Sequence, residues 1–255
     1  MIAFSRGLVG MLFLLAVMAL KREKLDKKAV KANFWKLCLS GCFIGINWIL
    51  LFEAYRYTTV ATATLCYYMA PLFVMIASPF LLKEKLRIKQ IVCMIVAFVG
   101  MMLVSGIFSA GGVGAGQWMG VLFGLGAAVF YASVVLLNKT IRDISAFSKT
   151  SIQLGFAALI ILPYTLLIER PSVDALTFPI VLLLLLVGVL HTGIAYTLYF
   201  GSISKLRAQT VALFSYLDPI VAILLSVLFL KEPMTLPSVI GAVLILGSTM
   251  VSEVK

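Results

Sequence analysis

The sequence predicts an all-α fold, a polytopic membrane bundle of about nine transmembrane helices built from two inverted repeats. Three observations predict it. Of the 255 residues, 62% are hydrophobic and 12% are charged, and mean hydropathy is +1.12; a soluble domain is about half apolar. Apolar runs of about 20 residues, long enough to span a bilayer, recur along the whole chain. Finally, the stretch Gly45 to Glu84 aligns without a gap to Gly193 to Glu232, 148 residues further on. The two copies share Tyr68/Tyr216, Pro71/Pro219 and a Leu-Lys-Glu ending at Glu84/Glu232. Apolar composition alone does not produce a shared Tyr-x-x-Pro, and repeats of membrane segments are a feature of secondary transporters.

Taken in order, the predicted spans are about 2–20, 36–55, 60–82, 89–107, 117–138, 149–168, 178–200, 208–230 and 236–252. The first has little basic flank before it and no small-x-small site before Lys21, so it reads as a retained span rather than a signal peptide. Placing the Lys21–Lys36 connection in the cytoplasm puts 17 of the 21 basic residues on that side and leaves Arg6, Arg56, Arg170 and Lys231 on the other. That asymmetry is the positive-inside pattern. It accounts for the net charge of +11 without a nucleic-acid partner. The N-terminus is then outside and the C-terminus cytoplasmic, and the two repeats enter the membrane in opposite senses. The expected divisions are a first repeat over 1–109, a glycine-rich linker over 110–116 and a second repeat over 117–255. Pairing the repeats as 4 + 5 helices leaves span 117–138 without a counterpart, so the first repeat is expected to lack its first helix.

Cys38, Cys42, Cys66 and Cys93 all sit in or beside apolar segments without a Cys-x-x-Cys pair, which suits small buried hydrophobes better than metal ligands. No phosphate-binding GxxxxGK[ST] occurs, so direct ATP drive has no support in the sequence.

Ala54, Ala61, Ala63, Pro71, Glu84 and Gly100 in the first half form a pattern with Ala208, Pro219, Glu232, Gly241 and Gly247 in the second. In this pattern the chain resembles the EamA-type family of the drug/metabolite transporter superfamily over essentially its whole length. The resemblance implies a multi-pass carrier in the cell membrane that moves amino-acid-like, drug-like or other small solutes. Members are similar to ten-helix, 5 + 5 carriers with both termini cytoplasmic, so nine spans and an outside N-terminus are departures.

Candidate solute-binding or coupling residues follow from membrane chemistry. Pro71 and Pro219 lack an N–H and disturb the helix one turn earlier, at Tyr67 and Ser215; in lipid such a break should face protein or a water-filled cavity. The plain alternative is a packing kink. Asp218 is a carboxylate inside an apolar span, beside the small-residue stripe Ala208, Ala212, Ser215, Pro219, Ala222, Ser226, and insertion of such a charge costs about 2.5 kcal/mol or more. It is expected to face the bundle interior. His191, the one histidine, falls on a face with Gly188, Ala195 and Ser202. Histidine is the side chain that most readily exchanges a proton under physiological conditions, so Asp218 and His191 together suggest proton coupling; a satisfied core histidine is the alternative. Trp48, Tyr67 and Tyr68 are expected to face Tyr196, Tyr199 and Tyr216 by repeat logic, with Tyr131 joining them, as aromatic walls whose hydroxyls orient a ligand. Gly41/Gly45 and Gly120/Gly124 read as helix-packing faces, and Gly45/Gly193 open the two repeats. Glu84 and Glu232 are expected to cap the following helices or to pair with lysine.

The expected function is alternating-access transport of a small solute, with efflux as the direction and proton coupling as the drive. A channel would carry rings of charge or a carbonyl filter, and an enzyme a nucleophile–base set or a metal cluster; neither pattern is present, and no enzymatic activity is expected. A non-transporting scaffold remains the alternative. The expected partners are a small-molecule solute and the lipid bilayer, with no nucleic acid and no cofactor or metal. A homodimer is left open.

Overall fold

The computed structural model describes residues 1–104, 118–169, 177–225, 228–229 and 235–253. The glycine-rich stretch 110–116, Lys231 and Glu232 lie outside them. The chain is an all-α, multi-pass membrane protein. Its helices are α1 (Ile2–Leu20), α2 (Lys27–Tyr57), α3 (Val60–Tyr67), α4 (Ala70–Leu82), α5 (Ile88–Val104), α6 (Trp118–Thr140), α7 (Ala146–Tyr164), α8 (Phe178–Leu186), α9 (Ala195–Ile203), α10 (Ala208–Phe214), α11 (Leu217–Leu225) and α12 (Leu236–Glu253). A π-helical turn extends α7 through Thr165–Glu169, and a second π-helical stretch, Val187–Ile194, joins α8 to α9. Among the described residues, six helical segments are long and apolar enough to cross a membrane, while α5 and α12 are shorter apolar helices.

Three segments differ from the predicted spans. Helix α2 begins nine residues earlier than the apolar run, because Asp26 accepts from the backbone N–H groups of Lys28 and Ala29 and starts the helix within the charged connection. Segment 60–82 is two helices, broken at Tyr68–Met69, and 208–230 is likewise broken at Ser215–Tyr216. The prolines therefore do not sit in mid-helix. Pro71 and Pro219 each lie in the first turn of a new helix, where a missing N–H costs nothing. Thr59 caps α3 through the Thr62 N–H, and Ser145 caps α7 through the Ser148 N–H.

The chain forms two compact units, and neither is a sequence half: one comprises 1–49 and 133–205, the other 50–132 and 206–255. Each draws equivalent helices from both repeats. In the first unit α1 packs along α7 and along the π-helical stretch. Gly41 and Gly45 of α2 meet α7 at backbone distance: an added Cβ would lie 2.6 Å from the Gln153 carbonyl oxygen and 2.9 Å from that of Ala157, respectively. In the second unit α5 packs along α12, and α4 along α10. Displaced by the repeat offset of 148, α5 falls on 236–252, which is α12. Helix α5 and its repeat counterpart α12 are thus neighbours.

Basic connections assigned to one membrane face also meet within each unit. Lys36 donates to the Thr140 carbonyl and Asn33 to that of Arg142 in the first. Arg207 donates to the Lys85 carbonyl in the second.

Candidate functional site

The polar and aromatic candidates fall into two groups, one in each unit. In the second unit the break between α3 and α4 presents Tyr67 and Tyr68, and the break before α11 presents Ser215 and Tyr216. Tyr216 is fully buried, and its hydroxyl donates to the Tyr68 carbonyl at 3.1 Å. The two rings lie 6.4 Å apart. These residues are separated by 148 positions, the repeat offset, so a residue meets its own counterpart. Tyr67 packs on Tyr131 at 5.5 Å and on Tyr68 at 6.3 Å. Pro71 and Pro219 are buried, and the Ser215 hydroxyl donates back to the Val211 carbonyl. Asp218 stands in the first turn of α11, an electrostatically favourable place for a carboxylate. Its side chain is exposed rather than packed in the unit's core, and it lies close enough to Tyr68 to act on that hydroxyl electrostatically, as does Tyr55.

In the first unit Trp48 and Tyr196, again 148 positions apart, meet directly. Trp48 Nε1–H donates to the Tyr196 hydroxyl at 3.2 Å, and the rings are 5.8 Å apart. Tyr199 packs on Phe200, with ring centroids 5.5 Å apart. His191 falls in the π-helical stretch with its side chain exposed. Of the residues that helical spacing puts on its face, Ala195 and Ser202 are exposed as well, whereas Gly188 is buried and abuts Val9 of α1. Gly45 and Gly193 are both buried packing positions. His191 belongs to the first unit and Asp218 to the second.

Glu84 follows Lys83, whose left-handed backbone (φ 56°) ends α4. The carboxylate accepts from the Ala208 N–H at 3.0 and 3.2 Å. It therefore caps α10 of the other repeat. Among the described residues no group of three or more His, Cys, Asp or Glu could hold a metal ion.

Three features were missed in the sequence. Lys149, counted among the cytoplasmic charges, is buried, and its Nζ donates to the Phe200 carbonyl in the last turn of α9. A fully buried amide–hydroxyl cluster joins α2, α6 and α7: Gln153 Nε2 donates to Ser40 Oγ (2.8 Å) and Asn138 Oδ1 (3.1 Å), and Asn138 Nδ2 donates to Ser40 Oγ (3.1 Å). Arg6 of α1 lies 4.2 Å over the Trp48 ring and 6.0 Å from that of Tyr196, and its Nε donates to Thr192 Oγ1 at 3.1 Å. An arginine followed by small residues in an apolar span was the available signal for the last.

Known proteins can be set beside this geometry. The profile of the EamA-like transporter family matches residues 1–106 and 118–253. The chain is similar to the uncharacterized transporter YxxF of Bacillus subtilis, 30% identical over all of this chain and 81% of the relative. An uncharacterized transporter of Clostridium kluyveri is 29% identical over 96% of this chain and 80% of its own. Protein PecM of Dickeya dadantii is 26% identical over 86% and 73%. A solved crystal structure superposes with a TM-score of 0.84 over 99% of this chain and 86% of its own; at 22% identity it speaks to the fold alone.

Proposed function

The chain belongs to the EamA-like transporter family, and from that premise we propose that it is a secondary carrier of small amino-acid-like or drug-like solutes, working by alternating access. Efflux is the proposed direction, and Asp218 the group that couples it to protons. The observation that carries this reading is the duplicated helix break. Two helices of opposite repeats are interrupted at matching positions, Tyr68–Met69 and Ser215–Tyr216, and their tyrosines meet there. Irregular backbone at membrane depth is tolerated where it is buried in protein or lines a water-filled cavity, and discontinuous helices are where such carriers hold solute and ion.

The repeats 1–109 and 117–255 are, in this reading, the two halves whose opposed sense lets one site open to either side. The contacts of Lys36, Asn33 and Arg207 support a cytoplasmic face holding most of the basic residues, with the N-terminus outside. His191 is the second titratable group of the proposed proton pathway.

The test compares small metabolites inside and outside cells producing the chain, its Asp218→Asn variant, or neither, with membrane insertion checked in parallel. A solute should shift with the unmodified chain alone. A solute that shifts equally with Asp218→Asn removes Asp218 from the coupling step. No shift with either inserted protein favours the scaffold reading.

A further inference from the structure

Arg6 is a cation set within the apolar span Ile2–Leu20. It lies four residues in, about 6 Å along the axis at 1.5 Å per residue. A charged residue at such a place is a functional candidate by default. Arg6 belongs neither to the Glu53–Arg56 ion pair nor to that of the Met1 amino group with Glu169. Thr192 and Trp48, which touch it, have their polar atoms committed elsewhere or turned toward it. Thr192 is fully buried, gives its hydroxyl hydrogen to the Val187 carbonyl one π turn back, and accepts from Arg6 Nε. Trp48 is buried, spends its one N–H on Tyr196, and offers its ring face to the guanidinium.

The consequence is a guanidinium held in a fixed plane. The stacked face and Nε are used, and the edge bearing Nη1 and Nη2 makes no hydrogen bond or ion pair with a described residue. That edge presents two parallel donors in the fork spacing a carboxylate accepts bidentately. An arginine serving only as an interfacial anchor would extend its head to water; this one is half-buried and pinned from two sides.

We infer that Arg6, positioned by Thr192 and the Trp48–Tyr196 pair, binds the carboxylate group of the transported solute. This rests on the carrier reading for the word "transported", but the site itself stands on the geometry of the first unit alone. The aromatic pair walls one side of the carboxylate, so acids with an apolar body fit better than small hydrophilic acids.

The test uses the full chain purified in detergent and reads ligand binding as a rise in the thermal unfolding midpoint, since a ligand that binds only the folded state stabilises it. The probes are the common amino acids and mono- and dicarboxylates, each beside its own carboxamide, which keeps the shape and loses the charge. At least one acid should raise the midpoint while its amide does not. Arg6→Gln should weaken that acid's binding by about 10-fold or more, the loss of charge-assisted hydrogen bonds, and Arg6→Lys should retain part of it. The unliganded midpoint of each variant shows that it is folded. Amides that stabilise as well as acids, an Arg6→Gln chain that responds like the unmodified one, or a panel in which no acid stabilises, each overturns the inference. Carboxylate binding without any flux in cells would remove the carrier reading and leave the site.

Discussion

Replacing Gly241 with alanine tests whether α5 and α12 are held at backbone contact. The added Cβ would lie 2.5 Å from the Gly100 carbonyl oxygen and 2.8 Å from Val104 Cγ2. In return, a Cβ on Gly100 would lie 2.7 Å from the Gly241 carbonyl oxygen. Ordinary contact begins at 3.4 Å, so the helices must part by roughly 0.7–0.9 Å, enough to lose a quarter to a half of each pairwise attraction along the seam. Overpacking of this kind costs about 1–3 kcal/mol, while alanine returns up to about 1 kcal/mol of helix propensity. Gly247, on the same helix, supplies the control: nothing lies within 4 Å of its added Cβ. Gly241→Ala should therefore be about 1–3 kcal/mol less stable than Gly247→Ala. One separation relieves both clashes, so the Gly100→Ala, Gly241→Ala double variant should be more stable than the two single effects added together. The assay is denaturing-detergent titration of the purified chain in mixed micelles, followed by helical circular dichroism. Equal midpoints for Gly241→Ala and Gly247→Ala, or strict additivity of the pair, would refute the close approach.

Two other substitutions probe contacts between elements. Glu84→Ala removes the acceptor for the Ala208 N–H and should cost about 1 kcal/mol; hydrogen exchange should quicken at the first amides of α10 and stay unchanged in α12. Asn138→Ala strips partners from Ser40 and Gln153 in a fully buried cluster and should cost about 1–3 kcal/mol because those groups keep their desolvation penalty, read as a lowered thermal midpoint. If Asn138→Ala unfolds at the same temperature as the unmodified chain, the cluster carries no net stability.

Much of this architecture was legible because membranes impose one-dimensional rules. Span length, charge asymmetry and repeat offset are all properties of a string, and they locate α1 and α6 to within a few residues. The shared Tyr-x-x-Pro marked both helix breaks, though a proline in a string cannot say whether it bends a helix or starts one. Here Pro71 and Pro219 start new helices. Other features depend on distance in space. Arg6 counted only as one of four basic residues on the sparse side, and nothing in its neighbourhood of sequence points to Trp48 or Thr192, more than forty and more than a hundred and eighty positions away. Gln153, Asn138 and Ser40 are individually unremarked polar residues in apolar helices, and they gain meaning only as a cluster. His191 lies exposed in a π-helical stretch, a change of helical period that composition does not reveal.

The two contacts between repeat counterparts bear on how a duplicated chain escapes its own symmetry. Were the repeats still identical, each of these residues would meet its own image, and neither member could be told from the other as donor or acceptor. At Trp48 and Tyr196 the identities have diverged, so that an indole, which can only donate, faces a hydroxyl that can accept. At Tyr68 and Tyr216 the side chains are still the same, and the tie is broken by geometry instead: one hydroxyl reaches the other's backbone carbonyl. Each unit thus holds a point where ancestry by copying is still visible as a handshake between twins, and where the polarity of a single hydrogen bond separates the halves that sequence made alike.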